Sequence, residues 1–230
     1  MRAVVLAGGL GTRLRSKVPD IPKVMAPVGG RPFLEYVLGR LITGGITEII
    51  LSVGYRADVI IRHFGRNYGA AVLDYAVETA PLNTGGAARY ALEGRGTDPA
   101  LVLNGDTLLD LEYAEFAEWY QESPVPIAVV LRKVQDVARY GLVLVSGERV
   151  TGFLEKGGSG PGLINAGVYI VQPQVFDNYQ LAGNFSLEKD LLQRHYGLLQ
   201  PRAFITDGYF IDIGIPEDYE RAKTELPKRK

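Results

Sequence analysis

The feature that most constrains the fold is a glycine-rich segment that directly follows the first apolar run of the chain. Residues 3–6 are apolar and partly β-branched, and Gly8, Gly9 and Gly11 follow. This order is typical of a buried strand that ends in a loop whose backbone approaches a phosphate. Glycine has no Cβ, so successive amides can surround an anion, and the guanidinium of Arg13 suits phosphate oxygens. The segment therefore predicts a nucleotide-phosphate loop, although a tight turn with a solvated arginine gives the same pattern.

Two common phosphate-binding motifs do not fit this segment. The dinucleotide fingerprint requires a third glycine where Leu14 stands, and an acidic residue about twenty positions later at the end of a second strand. A P-loop closes with Gly-Lys-Ser/Thr, whereas Thr12, Arg13 and Leu14 follow the last glycine here. The first mismatch excludes a nicotinamide-dependent dehydrogenase, and the two together indicate a phosphate loop of a third kind.

Composition excludes several other classes of function. The 230 residues include 25 Lys and Arg against 26 Asp and Glu, so no strong field would attract nucleic acid or an anionic membrane. The absence of cysteine excludes disulfides, thiolate metal sites and a cysteine nucleophile. No signal sequence precedes the glycines, and no apolar run approaches the roughly twenty residues that a membrane span requires. We therefore expect a cytoplasmic protein with small-molecule partners and neither nucleic acid nor membrane among them; the sequence leaves a homo-oligomer open.

Strand-like and helical segments alternate along the first half of the chain. A helix is predicted from Pro32, with apolar residues at helical spacing up to Gly44, and a shorter helix over 57–64. Strands are predicted over 46–53, 72–78 and 100–106. This alternation is typical of parallel strands joined by crossover helices. It predicts one domain over residues 1–230, a layered α/β/α sandwich with a mostly parallel, Rossmann-like central sheet whose ligands bind at the carboxyl ends of the strands.

A second glycine-rich loop follows the third of these strands. Glu78 ends the strand, the loop continues through Asn83, Thr84 and Gly85, and a helix is predicted from Ala88. Like the first loop, it leads from a strand into a helix. We therefore expect it to close over the same ligand.

Asp106 ends another buried strand, after Asn104 and Gly105. A carboxylate at this end of a strand faces the cleft, and its hard oxygens suit Mg²⁺. This placement favours a metal ligand over a residue that only shapes the turn. Asp212 also stands at the end of a predicted strand, where we expect the parallel sheet to open its cleft. Ser186 is a natural N-cap for a helix that is predicted over 187–196.

Further polar residues are ambiguous from the pattern alone. Lys23 lies in a proline-punctuated segment, where a surface lysine and a ligand are equally good interpretations. Glu155 and Lys156 end a strand and would form a surface ion pair if the segment stood alone. Asn165 interrupts an apolar strand. Carboxylates and amides bind sugar hydroxyls well, and a lysine can meet a phosphate, so these residues also suit a sugar phosphate.

The pattern over residues 6–14, followed by Pro22-Lys23 and Pro27-Val28, resembles the opening of the sugar-1-phosphate nucleotidyltransferases. The resemblance covers nearly the whole chain, from residue 1 to about residue 222. It departs at Asn83, where the family usually has glycine, but asparagine tolerates a left-handed backbone best among the other residues. The resemblance implies that a sugar 1-phosphate attacks a nucleoside triphosphate to give a nucleotide sugar and pyrophosphate, with Mg²⁺ as the cofactor.

The resemblance also implies which residues form the site, with a nucleotide-binding part over about 1–110 and a sugar-binding part over about 111–225. The implied catalytic residues, of which the two aspartates hold the metal, are Arg13, Lys23, Asp106 and Asp212. The implied nucleotide-binding residues are Leu6, Ala7, Gly8, Gly9, Gly11, Thr12, Arg13, Glu78, Asn83, Thr84, Gly85 and Asn104. The implied sugar-phosphate-binding residues are Gly141, Glu155, Lys156 and Asn165.

Within the family, the segments 81–86, 162–165 and 211–219 look most like the short guanylyltransferases that act on D-glycero-D-manno-heptose 1-phosphate. This similarity favours GTP and that sugar phosphate, and hence a role in GDP-heptose and cell-surface polysaccharide biosynthesis. Mannose-directed and uridylyl-directed members are the alternatives within the family. A catalytically silent sugar-nucleotide-binding or regulatory subunit is the alternative of another class. Arg13 and the two aspartates that the resemblance implies as metal ligands, Asp106 and Asp212, argue against it.

Overall fold

The computed structural model describes residues 1–9, 11, 14, 18, 20–154 and 158–229. The strands of these residues are β1 (Ala3–Leu6), β2 (Pro27–Val28), β3 (Arg31–Pro32), β4 (Glu48–Val53), β5 (Asn67–Tyr68), β6 (Ala71–Val77), β7 (Ala100–Asn104), β8 (Thr107–Leu109), β9 (Ile127–Val134), β10 (Leu142–Ser146), β11 (Arg149–Leu154), β12 (Gly162–Val171), β13 (Arg202–Thr206) and β14 (Phe210–Asp212). The helices are α1 (Phe33–Thr43), α2 (Ala57–Phe64), α3 (Asn83–Leu92), α4 (Tyr113–Glu122), a π-helix that we call π1 (Leu187–Gln193), α5 (Arg194–Leu199) and α6 (Pro216–Glu225). None of the helices in this described part combines the length and the apolar character needed to cross a membrane.

The main sheet has the strand order β10-β11-β13-β9-β12-β7-β1-β4-β6-β5 in the described part of the chain. Its N-terminal block, β7-β1-β4-β6, is parallel, and Leu6 at the end of β1 lies level with Ser52 of β4 and Asn104 of β7. These strands are joined through helices, as the alternating pattern predicts. The predicted α/β class and its parallel sheet are confirmed for this block.

The C-terminal part of the sheet is mainly antiparallel, so the sheet as a whole is mixed. β12 runs antiparallel to both β7 and β9, and β10 runs antiparallel to β11, while β13 is parallel to β9. The expectation of a mostly parallel sheet therefore holds for the N-terminal block and not beyond it. The physical reason is the length of the connections: only Gly147 and Glu148 separate β10 from β11, which is too short for a crossover.

Helices cover both faces of the main sheet. Along β1, Ala3 and Val5 contribute to the core on one face and Val4 to the core on the other, as the period of two in a strand requires. Helices α1, α2, α4 and α6 pack on the first face, and α3, π1 and α5 pack on the second. The predicted three-layer α/β/α sandwich is confirmed.

The predicted start of the third helix at Ala88 is wrong, because α3 begins at Asn83. The amides of Gly85 and Gly86 donate to the carbonyl of Phe185 at 2.9 and 3.1 Å, which satisfies donors that the first turn of a helix leaves without an intrahelical partner. A Cβ on Gly85 would lie 2.1 Å from the Phe185 ring. Close packing against this distant segment, which propensity does not report, allows the helix to include both glycines.

The predicted helix over 187–196 is also different in detail. Its start is confirmed: Ser186 caps it, and its Oγ accepts the backbone N–H of Lys189 at 3.1 Å. The first part is the π-helix π1, and α5 continues from Arg194 to Leu199. A π-helix is rare and is frequently found at functional sites.

Candidate active site

A cavity of about 480 Å³ opens at the carboxyl ends of β1, β6 and β7, where a parallel sheet is expected to bind its ligand. Lys23 and Asp106 line it. The predicted nucleotide-binding residues that line it are Leu6, Ala7, Gly8, Gly9, Gly11, Glu78, Asn83, Thr84 and Asn104. Gly85 is not among its lining residues and packs on Phe185 instead. Thr12 and Arg13 lie outside the described residues.

Two glycines of the first loop allow side chains to lie directly against the backbone. A Cβ on Gly8 would lie 2.5 Å from Oε1 of Glu78. Gly11 has a φ of +59°, and a Cβ there would lie 2.9 Å from the Cβ of Lys23. Glycine at these two positions therefore brings a carboxylate and a lysine beside the loop that is predicted to hold phosphates.

Glu78 presents its carboxylate to the cavity from the end of β6. The Ser52 hydroxyl donates to Oε1 at 3.1 Å, and the backbone N–H of Leu82 donates to Oε2 at 3.1 Å. An ionised carboxylate has about four acceptor sites, so each oxygen keeps one for a ligand. The two oxygens are thus suited to two neighbouring N–H donors on one edge of a bound base.

Lys23 lies between two carboxylates. Its Nζ is 2.5 Å from Oδ2 of Asp106 and 3.9 Å from Oδ1 of Asp212. The Lys23 side chain is 10% exposed, whereas those of Asp106 and Asp212 are 32% and 31% exposed. The ammonium is therefore nearly buried, and both aspartates keep a side that a ligand can reach.

A small separate sheet brings the two aspartates together. β14 pairs with β8, with Asp212 opposite Thr107, and the N–H of Ile213 donates to the carbonyl of Asp106 at 3.0 Å. The expectation that Asp212 ends a strand of the parallel sheet is wrong, because β14 belongs to this two-stranded antiparallel sheet. The antiparallel pairing still aligns the end of β14 with the turn that follows β7, and so both carboxylates meet at Lys23.

The chemistry of the two carboxylates fits a magnesium ion that takes its remaining ligands from outside the protein. Proteins hold Mg²⁺ at such sites with one or two carboxylates, while phosphates and water supply the other ligands. Asp106 and Asp212 supply hard oxygens of this kind, and Lys23 shows that the space between them accepts positive charge. In the described ranges no group of three or more His, Cys, Asp or Glu side chains is arranged around a common metal position.

Asn104 has a buried acceptor atom with no hydrogen-bond partner among the described residues, namely its Oδ1. The side chain lies against Gly167, whose φ is +71° and whose Cβ, if present, would be 2.5 Å from Nδ2. A buried polar atom without a partner costs free energy, and native structures keep few of them. Because Asn104 lines the cavity, a ligand donor there would satisfy this atom.

The predicted sugar-phosphate residues that the structure describes lie on the C-terminal part of the sheet. Gly141 directly precedes β10, which pairs with β12 next to Asn165. Neither residue is among those that line the cavity. Glu155 and Lys156 lie outside the described residues.

Glu188 and Ser186 also line the cavity, although the sequence pattern predicts only a helix cap for Ser186 and no site role for Glu188. The hydroxyls of Thr84 and Ser186 donate to Oε2 of Glu188 at 2.6 and 2.8 Å, and that of Tyr169 donates to Oε1 at 3.0 Å. Thr84 and Glu188 are 104 residues apart in the chain, so no local pattern joins them. The only local signal is an acidic residue in the first turn after the Ser186 cap. The remaining lining residues are Val24, Pro81, Leu82 and Ala87.

Known proteins share this architecture over nearly the full length of the chain. A D-glycero-alpha-D-manno-heptose 1-phosphate guanylyltransferase of Aneurinibacillus thermoaerophilus is 39% identical over 226 residues, which cover 98% of each protein. An enzyme of the same name from Campylobacter jejuni is 42% identical over 220 residues, which cover 95% of this chain and 97% of that protein. The crystal structure of HddC from Yersinia pseudotuberculosis complexed with GMP-PN has a TM-score of 0.86 and 38% identity, and covers 98% of this chain and 99% of that chain. Residues 2–229 match the family described as Nucleotidyl transferase, to which this chain therefore belongs.

Proposed function

We propose that the protein joins GTP and D-glycero-D-manno-heptose 1-phosphate to form GDP-heptose and pyrophosphate. The observation that carries this proposal is the similarity, at 39% and 42% identity and nearly full length, to two curated guanylyltransferases with that substrate in their names. The likeness to a structure complexed with GMP-PN supports a guanine nucleotide. Because the reaction consumes a nucleoside triphosphate, we propose the cytoplasm as its compartment.

Glu78 supports guanine as the base. The Watson–Crick edge of guanine presents two neighbouring N–H donors, N1–H and the 2-amino group, and a carboxylate with one free acceptor site on each oxygen matches them. Uracil and thymine present a single N–H between two carbonyl oxygens, and those oxygens would face the negative charge of the carboxylate. Hydrogen bonds from Ser52 and Leu82 hold Glu78 in the orientation that this discrimination needs.

The proposed reaction is a displacement at the α-phosphorus of GTP. An oxygen of the sugar 1-phosphate forms the new P–O bond, and the bond from the α-phosphorus to the oxygen that bridges to the β-phosphate breaks, so that pyrophosphate leaves. The attacking phosphate is already ionised near neutral pH and needs no general base. In keeping with this, His63 pairs with Glu35 at 2.8 Å, His195 packs against Tyr179, and neither histidine lines the cavity. Catalysis then rests on in-line positioning and on neutralisation of charge.

Each part of the two substrates is assigned to its own set of residues. We assign Arg13 and the amides of residues 8–12 to the leaving pyrophosphate, and Lys23, which lines the cavity, to the α-phosphate. Asp106 and Asp212 would hold Mg²⁺, which when bound neutralises charge on the phosphate oxygens. We assign the sugar phosphate to Gly141, Glu155, Lys156 and Asn165.

A substrate panel tests the proposal. Four nucleoside triphosphates are combined with the 1-phosphates of the heptose, mannose and glucose, and pyrophosphate release is followed. We expect GTP to exceed UTP and dTTP by at least about tenfold in kcat/KM, and the heptose to exceed mannose. A preference for UTP would replace the guanine assignment, and a preference for mannose 1-phosphate would replace the sugar. Tight binding of nucleotide sugars without release of pyrophosphate would instead support a regulatory subunit.

A further inference from the structure

Glu188 collects three hydroxyl groups from three separate segments of the chain. They come from Thr84 in the first turn of α3, Ser186 directly before π1 and Tyr169 near the C-terminal end of β12. Two of the three bonds reach Oε2, and the bond from Tyr169 reaches Oε1. The carboxylate of Glu188 therefore connects α3, the start of π1 and β12 through hydrogen bonds.

The direction of each hydroxyl proton is determined by a second bond. Each of the three oxygens also accepts an N–H, which cannot accept in return, and the ionised carboxylate of Glu188 can only accept, so each hydroxyl gives its own proton to Glu188. The accepting oxygens and their N–H donors are Thr84 Oγ1 with the amide of Leu187 at 2.9 Å, Ser186 Oγ with the amide of Lys189 at 3.1 Å, and Tyr169 Oη with Nδ2 of Asn165 at 2.9 Å. Thr84, an expected nucleotide ligand, thus has no hydroxyl proton left for the nucleotide.

These bonds leave one acceptor site on Glu188. Of its roughly four lone-pair sites, Thr84 and Ser186 use both on Oε2, and Tyr169 uses one on Oε1. Glu188 lines the cavity, so a ligand can reach it. A negative carboxylate repels phosphate oxygens and favours a neutral donor, and the donors that a nucleotide and a sugar 1-phosphate share are ring hydroxyls.

The same network fixes the amide of Asn165. Its Oδ1 accepts the N–H of Gly167 at 2.9 Å, which leaves Nδ2 to donate to Tyr169. Burial, and then the charge of Glu188, raise the pKa of Tyr169 well above its ordinary value, so the phenol stays protonated and keeps donating to Glu188. An unbroken chain of hydrogen bonds therefore links Glu188 in the cavity to Asn165.

From this geometry we infer that Glu188 is a substrate-binding residue that accepts a hydrogen bond from a sugar hydroxyl, and that it positions Asn165 through Tyr169. The inference rests on the proposed nucleotidyl transfer, since it deepens the description of the same site. The hydroxyl belongs either to the ribose of the nucleotide or to the sugar 1-phosphate, and the two sources share one chemistry.

A comparison of Glu188→Gln with the wild type on deoxy analogues tests the inference. The ligands are the parent substrates, the 2′-deoxy and 3′-deoxy nucleoside triphosphates, and monodeoxy sugar 1-phosphates. We expect Glu188→Gln to lower kcat/KM by about tenfold or more on the parent substrates, because a hydrogen bond to a charged group is lost. The loss should disappear on the one analogue that lacks the bound hydroxyl, as in a double-mutant cycle. A ribose analogue or a sugar analogue that abolishes the loss identifies the source of the hydroxyl.

Asp190→Asn is the matched control. Asp190 lies on the same π-helix, its Oδ2 accepts the amide of Ser186 at 2.8 Å, and it is not among the residues that line the cavity. This variant should lower the melting temperature and leave the ratio of kcat/KM between parent and deoxy substrates unchanged.

Tyr169→Phe tests the positioning of Asn165. It should raise KM for the sugar 1-phosphate more than KM for the triphosphate, because it removes the hydroxyl that accepts from Asn165.

If Glu188→Gln loses kcat/KM equally on every analogue and also has a lower melting temperature, Glu188 only stabilises the fold, and the inference is overturned. If Glu188→Gln does not fold, Glu188→Asp keeps the charge and supports the same comparison. Calorimetric binding of GDP, its deoxy forms and the nucleotide sugar gives a readout that does not need turnover. A wild type that releases no pyrophosphate would therefore overturn the proposed function, whereas the binding data would still decide the role of Glu188.

Discussion

The ammonium of Lys23 lies 2.5 Å from Oδ2 of Asp106, with only 10% of the lysine side chain exposed. Oδ1 of Asp212 lies 3.9 Å from the same ammonium. Lys23 thus neutralises the two proposed metal ligands, and it is also the residue that we assign to the α-phosphate. On that proposal Asp106 and Asp212 would hold the cation and Lys23 would pair with a phosphate, so every charge would still have a partner.

Lys23→Met should make the stability of the free protein depend on Mg²⁺. Without the ammonium, two partly buried carboxylates face each other, and we expect a loss of about 1–3 kcal/mol in the free energy of unfolding in the presence of EDTA. Added Mg²⁺ should restore part of this loss, because it replaces the missing charge. Thermal melting in EDTA and in Mg²⁺ measures both effects. Lys133→Met, at an exposed position of β9, is the control and should respond to neither. An unchanged melting temperature for Lys23→Met would mean that the ion pair contributes little.

Glu78→Gln should weaken the preference for guanine. Glutamine keeps one acceptor oxygen but points an NH₂ group at one of the two guanine donors, so we expect kcat/KM for GTP to fall about 10- to 100-fold. Inosine triphosphate lacks the 2-amino group, and its disadvantage against GTP should shrink in the variant. Glu93→Gln, on an exposed glutamate after α3, serves as the control. If GTP and inosine triphosphate lose activity equally, Glu78 acts on the loop and not on the base.

Gly8→Ala should damage the nucleotide site more than the fold. The new methyl group would lie 2.5 Å from Oε1 of Glu78 and 3.3 Å from the amide nitrogen of Gly54, so the carboxylate must move. We expect KM for GTP to rise at least about tenfold, with a smaller effect on the sugar phosphate. Gly39→Ala in α1 is the contrasting variant, because no heavy atom lies within 4 Å of its Cβ. It should stabilise the protein by about 0.5–1 kcal/mol without changing KM.

Features that depend on local sequence were predictable. The proline before Phe33 and the glycines after Thr43 delimit α1, whose predicted extent is confirmed. The run of glycines after β1 predicted a wall of the cavity. This was possible because a backbone that must come close to other groups leaves no room for a side chain, and so restricts the residue to glycine.

Features that depend on contacts between distant segments were not predictable. α3 begins five residues before the predicted start because Phe185 packs on Gly85 and accepts its amide proton. The cavity includes Glu188 because π1 folds onto α3, and an isolated acidic residue after a serine cap is far more often a favourable charge at a helix N-terminus than part of a site. Both misses concern the same junction between α3 and π1.

The last prediction concerns Asp106 and Asp212, which meet through the pairing of β8 with β14. Asp106→Asn and Asp212→Asn should each be nearly inactive with folding preserved, because the amide is almost isosteric with the carboxylate. If both residues hold one Mg²⁺, either loss already disables the group, so the double variant should be scarcely worse than the poorer single one. Excess Mg²⁺ should partly rescue each single variant, since one carboxylate remains. Steady-state kinetics across a Mg²⁺ titration measures this. Losses that multiply in the double variant and ignore Mg²⁺ would show that the two aspartates do separate work, and the shared metal site would have to be given up.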